Sequence, residues 1–224
     1  MPPLMIFAAG LGTRMRPLTD LRPKPLIEVA GRSLLDRALD LARAAGAAPI
    51  VVNTHYLGAQ IERHLHGQDV AISAEAGLIL ETGGGLRHAL PVLAPRGGPV
   101  MTLNPDVVWT GPNVLTALAG AWRDDMDALL ALVPLAQATG RQGGGDFSLG
   151  PDNRLIRQGD YVYAGAQMIR PDRLANIPDA AFSLNRLWDL LIAGGRVHGM
   201  IHPGGWCDVG RPDAIPLAEA MLDG

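Results

Sequence analysis

Lysine is almost absent from this chain: of its 19 basic residues 18 are arginines, and Lys24 is the single exception. A codon bias toward arginine accounts for the other positions. It does not account for one retained ammonium, a compact point charge that suits phosphate in a way a planar guanidinium does not. Cysteine is as scarce. Cys207 stands alone, which excludes an internal disulfide framework and a cysteine-rich zinc site and agrees with a reducing compartment. With only 3 Phe, 3 Tyr and 4 Trp, the core has to be built from Leu, Val, Ile and Ala. No apolar run approaches the roughly 18 to 20 residues that span a bilayer, and residues 1–12 carry no basic leader region. No membrane partner and a cytoplasmic setting are therefore expected. A formal net charge of −3 provides no basic stripe for nucleic acid, so any phosphate site must be local.

What is present is a regular alternation of elements in a chain of 224 residues, a length that fits one α/β domain. Leu4-Met5-Ile6-Phe7-Ala8-Ala9 is a short apolar run of the kind that makes a strand buried on both faces, and it stops at Gly10. Apolar positions within 33–45 mark an amphipathic helix capped by Ser33 and closed by Gly46. The pattern then predicts strands at 49–53, 70–73, 100–103 and 128–133, and helices at 57–65, 85–93 and 114–123. Residues 80–85 read as a glycine-rich loop ahead of the third helix, and 140–165 as a hairpin region of short polar strands beside the main sheet. Residues 184–192 have helical spacing, and 212–222 form a terminal helix. Such alternation implies a parallel sheet with right-handed crossovers. Its ligands sit outside the carboxyl ends of the strands, which puts residues 10–16 and 104–106 at one mouth.

The loop after the first strand reads Ala8-Ala9-Gly10-Leu11-Gly12-Thr13-Arg14-Met15-Arg16-Pro17-Leu18-Thr19. It is neither a dinucleotide fingerprint, since Met15 stands where the third glycine belongs, nor a Walker A loop, since no Gly-Lys pair exists. The physics is similar. Gly10 and Gly12 let backbone amides approach phosphate oxygens, and Arg14 offers a fixed fork of donors. A bare Gly-x-Gly is equally well read as a turn with solvated arginines. In Arg22-Pro23-Lys24-Pro25-Leu26, however, the lysine lies between two prolines that stiffen its backbone, so little entropy is lost in aiming it.

Taken together, Gly-x-Gly-Thr-Arg-x-Arg-Pro-Leu-Thr and Pro-Lys-Pro-Leu resemble the signature of the sugar-1-phosphate nucleotidyltransferases, and the resemblance extends over essentially the whole chain. It implies an α/β fold, a Rossmann-like three-layer sandwich with a mostly parallel central sheet and a small β-hairpin region at the sugar. Residues 1–110 would be the nucleotide-binding half and 111–224 the sugar-binding half of one domain. The resemblance gives catalytic roles to Arg14 and Lys24 and a nucleotide site to Ala8, Ala9, Gly10, Gly12, Thr13 and Asn104. In Leu80-Glu81-Thr82-Gly83-Gly84-Gly85 it places the base-recognition loop, with Glu81, Thr82, Gly83 and Gly84 meeting the base edge. Asp106 of Asn104-Pro105-Asp106 and Asp208 of Trp206-Cys207-Asp208-Val209-Gly210 match two metal-binding aspartates that hold Mg2+. Gly145, Asp146, Tyr163 and Gly165 fall at the sugar pocket. The short length and Gly145-Asp146-Phe147 are similar to a bacterial subgroup, the N-acetylmuramate-1-phosphate uridylyltransferases of peptidoglycan recycling. UTP and N-acetylmuramate 1-phosphate are thus the favoured partners, with the chain a monomer or small homo-oligomer.

Three features stand apart. The longer uridylyltransferases carry a Glu-Lys-Pro element before the sugar pocket; this chain lacks that lysine, so its sugar phosphate needs another cation such as Arg154 or Arg157. Pro105 stands where most relatives have a small residue, and by forcing Asn104 toward an extended backbone it can move the Asp106 carboxylate, an effect the sequence does not decide. Cys207 reads as packing. Two aspartates at the sheet mouth suit Mg2+, a hard cation that keeps waters and shares phosphate oxygens. The sugar-phosphate oxygen would attack the α-phosphorus in line, with Arg14 and Lys24 neutralising charge and no protein nucleophile required. Other readings stay open on the sequence: a mannose- or heptose-1-phosphate guanylyltransferase, a non-catalytic regulator that binds sugar nucleotides, or a nicotinamide-dependent dehydrogenase. For the last, residues 52–54 offer no acidic ribose ligand.

Overall fold

The computed structural model describes residues 1–224. Its first half runs through β1 (Leu4–Ile6), the small β2–β3 hairpin (Glu28–Val29 and Arg32–Ser33), α1 (Leu34–Ala44), β4 (Ile50–Thr54), α2 (Gly58–Leu65), β5 (Ala71–Ala74), α3 (Glu81–Leu93) and β6 (Val100–Leu103). There follow β7 (Val107–Trp109), α4 (Val114–Ala121), β8 (Ala128–Pro134), β9 (Phe147–Leu149), β10 (Leu155–Arg157), β11 (Tyr161–Ile169), α5 (Leu184–Ala193), β12 (Val197–Ile201), β13 (Trp206–Asp208) and α6 (Ala214–Asp223).

The continuous apolar runs make sense because both faces of the central strands are covered. Side chains alternate between faces along a strand. Leu4, Ile6, Ile50, Val52, Met101 and Leu103 join the core beneath α1, α2 and α4. Met5, Val51 and Val100 join a second core with Leu86 and Leu93 of α3 and Leu184, Leu187 and Leu191 of α5. The result is three layers around a nine-stranded sheet in the order β10-β9-β11-β6-β1-β4-β5, with β8 attached to β11 and β12 to β8. The ladders β6–β1, β1–β4, β4–β5 and β8–β12 are parallel. The strand β11 runs antiparallel between β6 and β8.

Helix α1 shows how local sequence supports this arrangement. Ser33 caps it by accepting the Asp36 N–H at 3.0 Å, and its hydroxyl donates to the Asp36 carboxylate at 2.7 Å, so first-turn donors without intrahelical partners are served. Leu34, Leu35 and Leu39 are fully buried, each stabilising the fold by about 2 kcal/mol relative to exposure.

Four expectations change. The first strand ends at Ile6 rather than Ala9, because the Ala8 N–H turns away to the side chain of Asn53. Helix α3 starts at Glu81, so Gly83, Gly84 and Gly85 form its first turns and not a preceding loop. The terminal helix begins at Ala214, after Pro212. The region 140–165 is not simply laid beside the sheet: it leads into β11, a nine-residue strand at the heart of the sheet. Its register with β8 shifts between Tyr163 and Gln167, around Gly165.

A third, smaller core ties the edge of the fold together. Met15, Val29, Leu34, Val108, Cys207, Val209 and Ala218 pack as one buried group. The turn that carries Arg14 and the β7–β13 ribbon that carries Asp208 are therefore fixed against each other.

Candidate active site

Where β1 leaves the ladder, a buried polar chain takes over. Asn53 accepts the Ala8 N–H at 2.6 Å and donates to Glu75 at 2.6 Å, and the second Glu75 oxygen accepts the Leu80 N–H at 2.8 Å. Three loops are thereby held at one edge, and the buried donors find partners. Beside them opens a cavity of about 220 Å3 lined by Ala8, Ala9, Gly10, Gly12, Lys24, Glu81, Thr82, Asn104 and Asp106 among others. Gly12 adopts a left-handed φ of 62°, and a side chain there would meet Lys24 Cβ at 2.9 Å. Only glycine lets the loop and the lysine turn close to this degree.

Lys24 opens a short helical turn, Lys24–Leu26, after the extended Pro23. Its Nζ donates to Asp106 Oδ2 at 2.6 Å, across 82 positions of sequence. Pro105 thus leaves the Asp106 carboxylate facing the site. Asp208 comes in on the β7–β13 ribbon, where it lies opposite Val107 and where Val209 N–H donates to the Asp106 carbonyl at 2.9 Å. A methyl group placed on Gly210 would stand 3.0 Å from the Asp208 carboxylate and 3.4 Å from the Arg14 guanidinium. Both groups therefore converge over that glycine.

Asp106 and Asp208 also face a second cavity, of about 300 Å3, which shares Phe7, Thr82, Asn104 and Asp106 with the first. Its further walls include Arg14, Asp146, Tyr163, Gly165 and Trp206. The Trp188 ring meets Tyr163 edge-on at 4.7 Å, and its indole N–H donates to Gln167 at 2.8 Å. Burial raises the Tyr163 phenol above its ordinary range.

Several sequence candidates lie outside the cavity walls. Thr13 is exposed, at the start of the short helical turn Thr13–Met15. Gly83 and Gly84 both donate their N–H groups to the Phe182 carbonyl, at 2.8 and 3.1 Å. Their Cα atoms face the Phe182 ring and the Ala180 carbonyl. They support the wall, and Glu81 and Thr82 form it. Gly145 packs against the Gly159 carbonyl. Neither proposed replacement for the missing lysine reaches the second cavity. Arg154 is exposed next to the edge strand β12. Arg157 is engaged by Asp189 and Asn185 and lies over the Phe147 and Trp188 rings. The arginine that does line the cavity with Arg14 is Arg141.

Residues missed in the sequence include Asn53, Glu75, Arg141, Ser183, Asn185 and Trp188. Asn53 and Glu75 left one usable signal: each is polar at the end of an apolar strand pattern, where a side chain is commonly recruited to satisfy backbone groups. Cys207 is fully buried with its thiol pushed up to about 11 by burial and by Asp208, which agrees with a packing role.

The donor set fits Mg2+. Burial first, and the Asp106 charge second, raise the Asp208 pKa against the pull of Lys24, Arg14 and Arg141. Two neighbouring carboxylates, with no third acidic, histidine or cysteine ligand grouped with them, suit a hard cation that completes its shell with waters and phosphate oxygens.

Comparison with known proteins gives the same direction. Residues 4–188 match the MobA-like NTP transferase domain. The chain is 42% identical to the N-acetylmuramate alpha-1-phosphate uridylyltransferase of Caulobacter vibrioides, over 97% of this chain and 96% of that protein. It is 37% identical to the enzyme of the same name from Neisseria meningitidis serogroup B, over 97% and 96% of the respective chains. In fold it is similar to HddC from Yersinia pseudotuberculosis, solved complexed with GMP-PN, with a TM-score of 0.79 and 19% identity over 99% of this chain and 100% of that one. No helix is long and apolar enough to cross a membrane. The nicotinamide reading falls away, and the chain belongs to the sugar-1-phosphate nucleotidyltransferases, enzymes built on the MobA-like NTP transferase domain.

Proposed function

We propose that this enzyme transfers a uridylyl group from UTP to N-acetylmuramate 1-phosphate, in a Mg2+-dependent reaction that releases pyrophosphate. The observation that carries the reading is the junction of two cavities at Asn104 and Asp106, with Lys24 on one side and Arg14 and Asp208 on the other. The uridylyltransferase relatives at 42% and 37% identity support the choice of nucleotide and sugar. All the residues lining the first cavity fall within 1–110, and most of those lining the second fall within 111–224.

In this mechanism the triphosphate lies along Gly10 and Gly12, whose loop admits close approach of phosphate. Lys24 moves from Asp106 to the phosphates, and Arg14 covers the charge that develops on the α-phosphate. An oxygen of the sugar phosphate, already ionised near neutral pH, forms a new bond to the α-phosphorus. The bond from that phosphorus to the bridging α–β oxygen breaks, and pyrophosphate leaves with the electron pair. No proton has to be removed, so no general base is needed. Bound Mg2+, held by Asp106 and Asp208, would supply neutralising charge and a common template for both substrates. The protein residues contribute alignment.

A pyrophosphate-release assay with four nucleoside triphosphates and a panel of sugar 1-phosphates tests the proposal. The greatest kcat/KM is expected for UTP with N-acetylmuramate 1-phosphate. Preference for GTP with mannose or heptose 1-phosphate would overturn the assignment of substrates, and nucleotide binding without turnover would overturn the enzymatic reading.

A further inference from the structure

No lysine lines the second cavity, and a phosphate monoester carries a charge of about −1.5 to −2 near neutral pH and needs cationic donors. On the proposed reading of the site, the cation can be named from the geometry. Arg141 lines the cavity and is held by Asp146: its Nη2 donates to Asp146 Oδ1 at 2.8 Å. The other Asp146 oxygen accepts the Tyr163 N–H at 2.9 Å. Asp146 is itself fixed at both ends of its backbone, its N–H on the Tyr161 carbonyl and its carbonyl on the Gln158 N–H. With one oxygen on the Arg141 guanidinium and the other on the Tyr163 N–H, Asp146 is placed to aim Arg141.

The same loop is tied to the metal side of the cavity. Thr139, two residues before Arg141, bridges to Cys207 and accepts the Asp208 N–H at 3.0 Å. Gly140 packs directly on the Asp208 carbonyl. The guanidinium therefore springs from a loop anchored to the strand of Asp208, at the end of the cavity where the reacting phosphate must lie. Its Nε is buried without a partner, so the group is only partly satisfied by the protein.

We propose that Arg141, aimed by Asp146, binds the phosphate of the sugar 1-phosphate with its planar fork of donors. Arg141 is then a substrate-binding residue and Asp146 a positioning residue. The alternative site on the same substrate is the lactyl carboxylate of N-acetylmuramate, and the anchoring at Asp208 favours the phosphate.

Steady-state kinetics of R141Q, R141K and D146N, with each substrate varied in turn, test the assignment. For R141Q the KM for sugar 1-phosphate is expected to rise by roughly ten- to hundredfold, the loss typical of a hydrogen bond to a charged group, with the KM for nucleotide unchanged. R141K should recover part of the loss, and D146N should show a smaller rise in the same constant. N-acetylglucosamine 1-phosphate, which lacks the lactyl acid, is then compared as substrate or competitive inhibitor. An equal proportional loss for both sugars supports the phosphate contact; a loss confined to N-acetylmuramate 1-phosphate overturns it. An R141Q enzyme with an unaltered KM for sugar 1-phosphate overturns it as well, while leaving the proposed reaction standing. A wild-type chain that releases no pyrophosphate with any pair overturns the reaction and this assignment with it.

Discussion

The two cavities are built in different ways. The one assigned to the nucleotide is formed at the ends of neighbouring parallel strands, β1, β4, β5 and β6, by loops that follow each strand directly. The one assigned to the sugar draws on β11, the start of α5, the 141–146 loop and the β7–β13 ribbon, brought together from distant parts of the chain. A site made by loops at a sheet mouth can be read as short motifs. A site made by long-range packing cannot, because no one segment carries its signature.

The largest expected effects fall on the junction, where the comparison disappears. Removing the metal with a chelator, or substituting Asp106→Ala, should lower pyrophosphate release on the order of a thousandfold, with either substrate varied. Lys24→Ala should reduce kcat by about a hundredfold, the scale of one preorganised charge in a transition state; a parental rate would remove Lys24 from the mechanism.

The next pair separates the two cavities. Asn53→Ala leaves the Ala8 N–H and the Glu75 carboxylate without their buried partner, at a cost of about 2 to 3 kcal/mol. Urea unfolding should record that loss, and kinetics should show a raised KM for nucleotide alone. Trp188→Phe removes the donor to Gln167 and strips one partner from a fully buried amide. It should destabilise by about 1 to 2 kcal/mol and raise the KM for sugar 1-phosphate alone. If both variants shift both constants equally, the distinction between local and assembled cavities has no functional meaning. The smallest effect is reserved for a cap remote from either cavity: Ser33→Ala should cost about 1 kcal/mol in unfolding and leave both KM values unchanged.

This contrast explains what the sequence revealed. Gly12, Arg14 and Lys24 were legible because loop and lysine stand within a dozen positions, and because a lone lysine among arginines is conspicuous. Asp106 and Asp208 were legible through short flanking motifs. The central strand β11 was not, since its alternation is interrupted around Gly165, where the register shifts. Arg141 was overlooked because a loop rich in glycine reads as a solvated turn, and its meaning depends on Asp146, Tyr163 and Asp208 all arriving beside it. Gly83 and Gly84 suggested a loop for a base. They are instead required by the close approach of Phe182 and Ala180 to the first turns of α3.

Central to the proposed reaction is that Asp106 and Asp208 act through one shared cation rather than separately. A double-mutant cycle on pyrophosphate release, with Asp106→Asn, Asp208→Asn and both together, measures that coupling. Shared action predicts a double variant hardly slower than the more damaged single variant. Losses that multiply, as for independent groups, would contradict it.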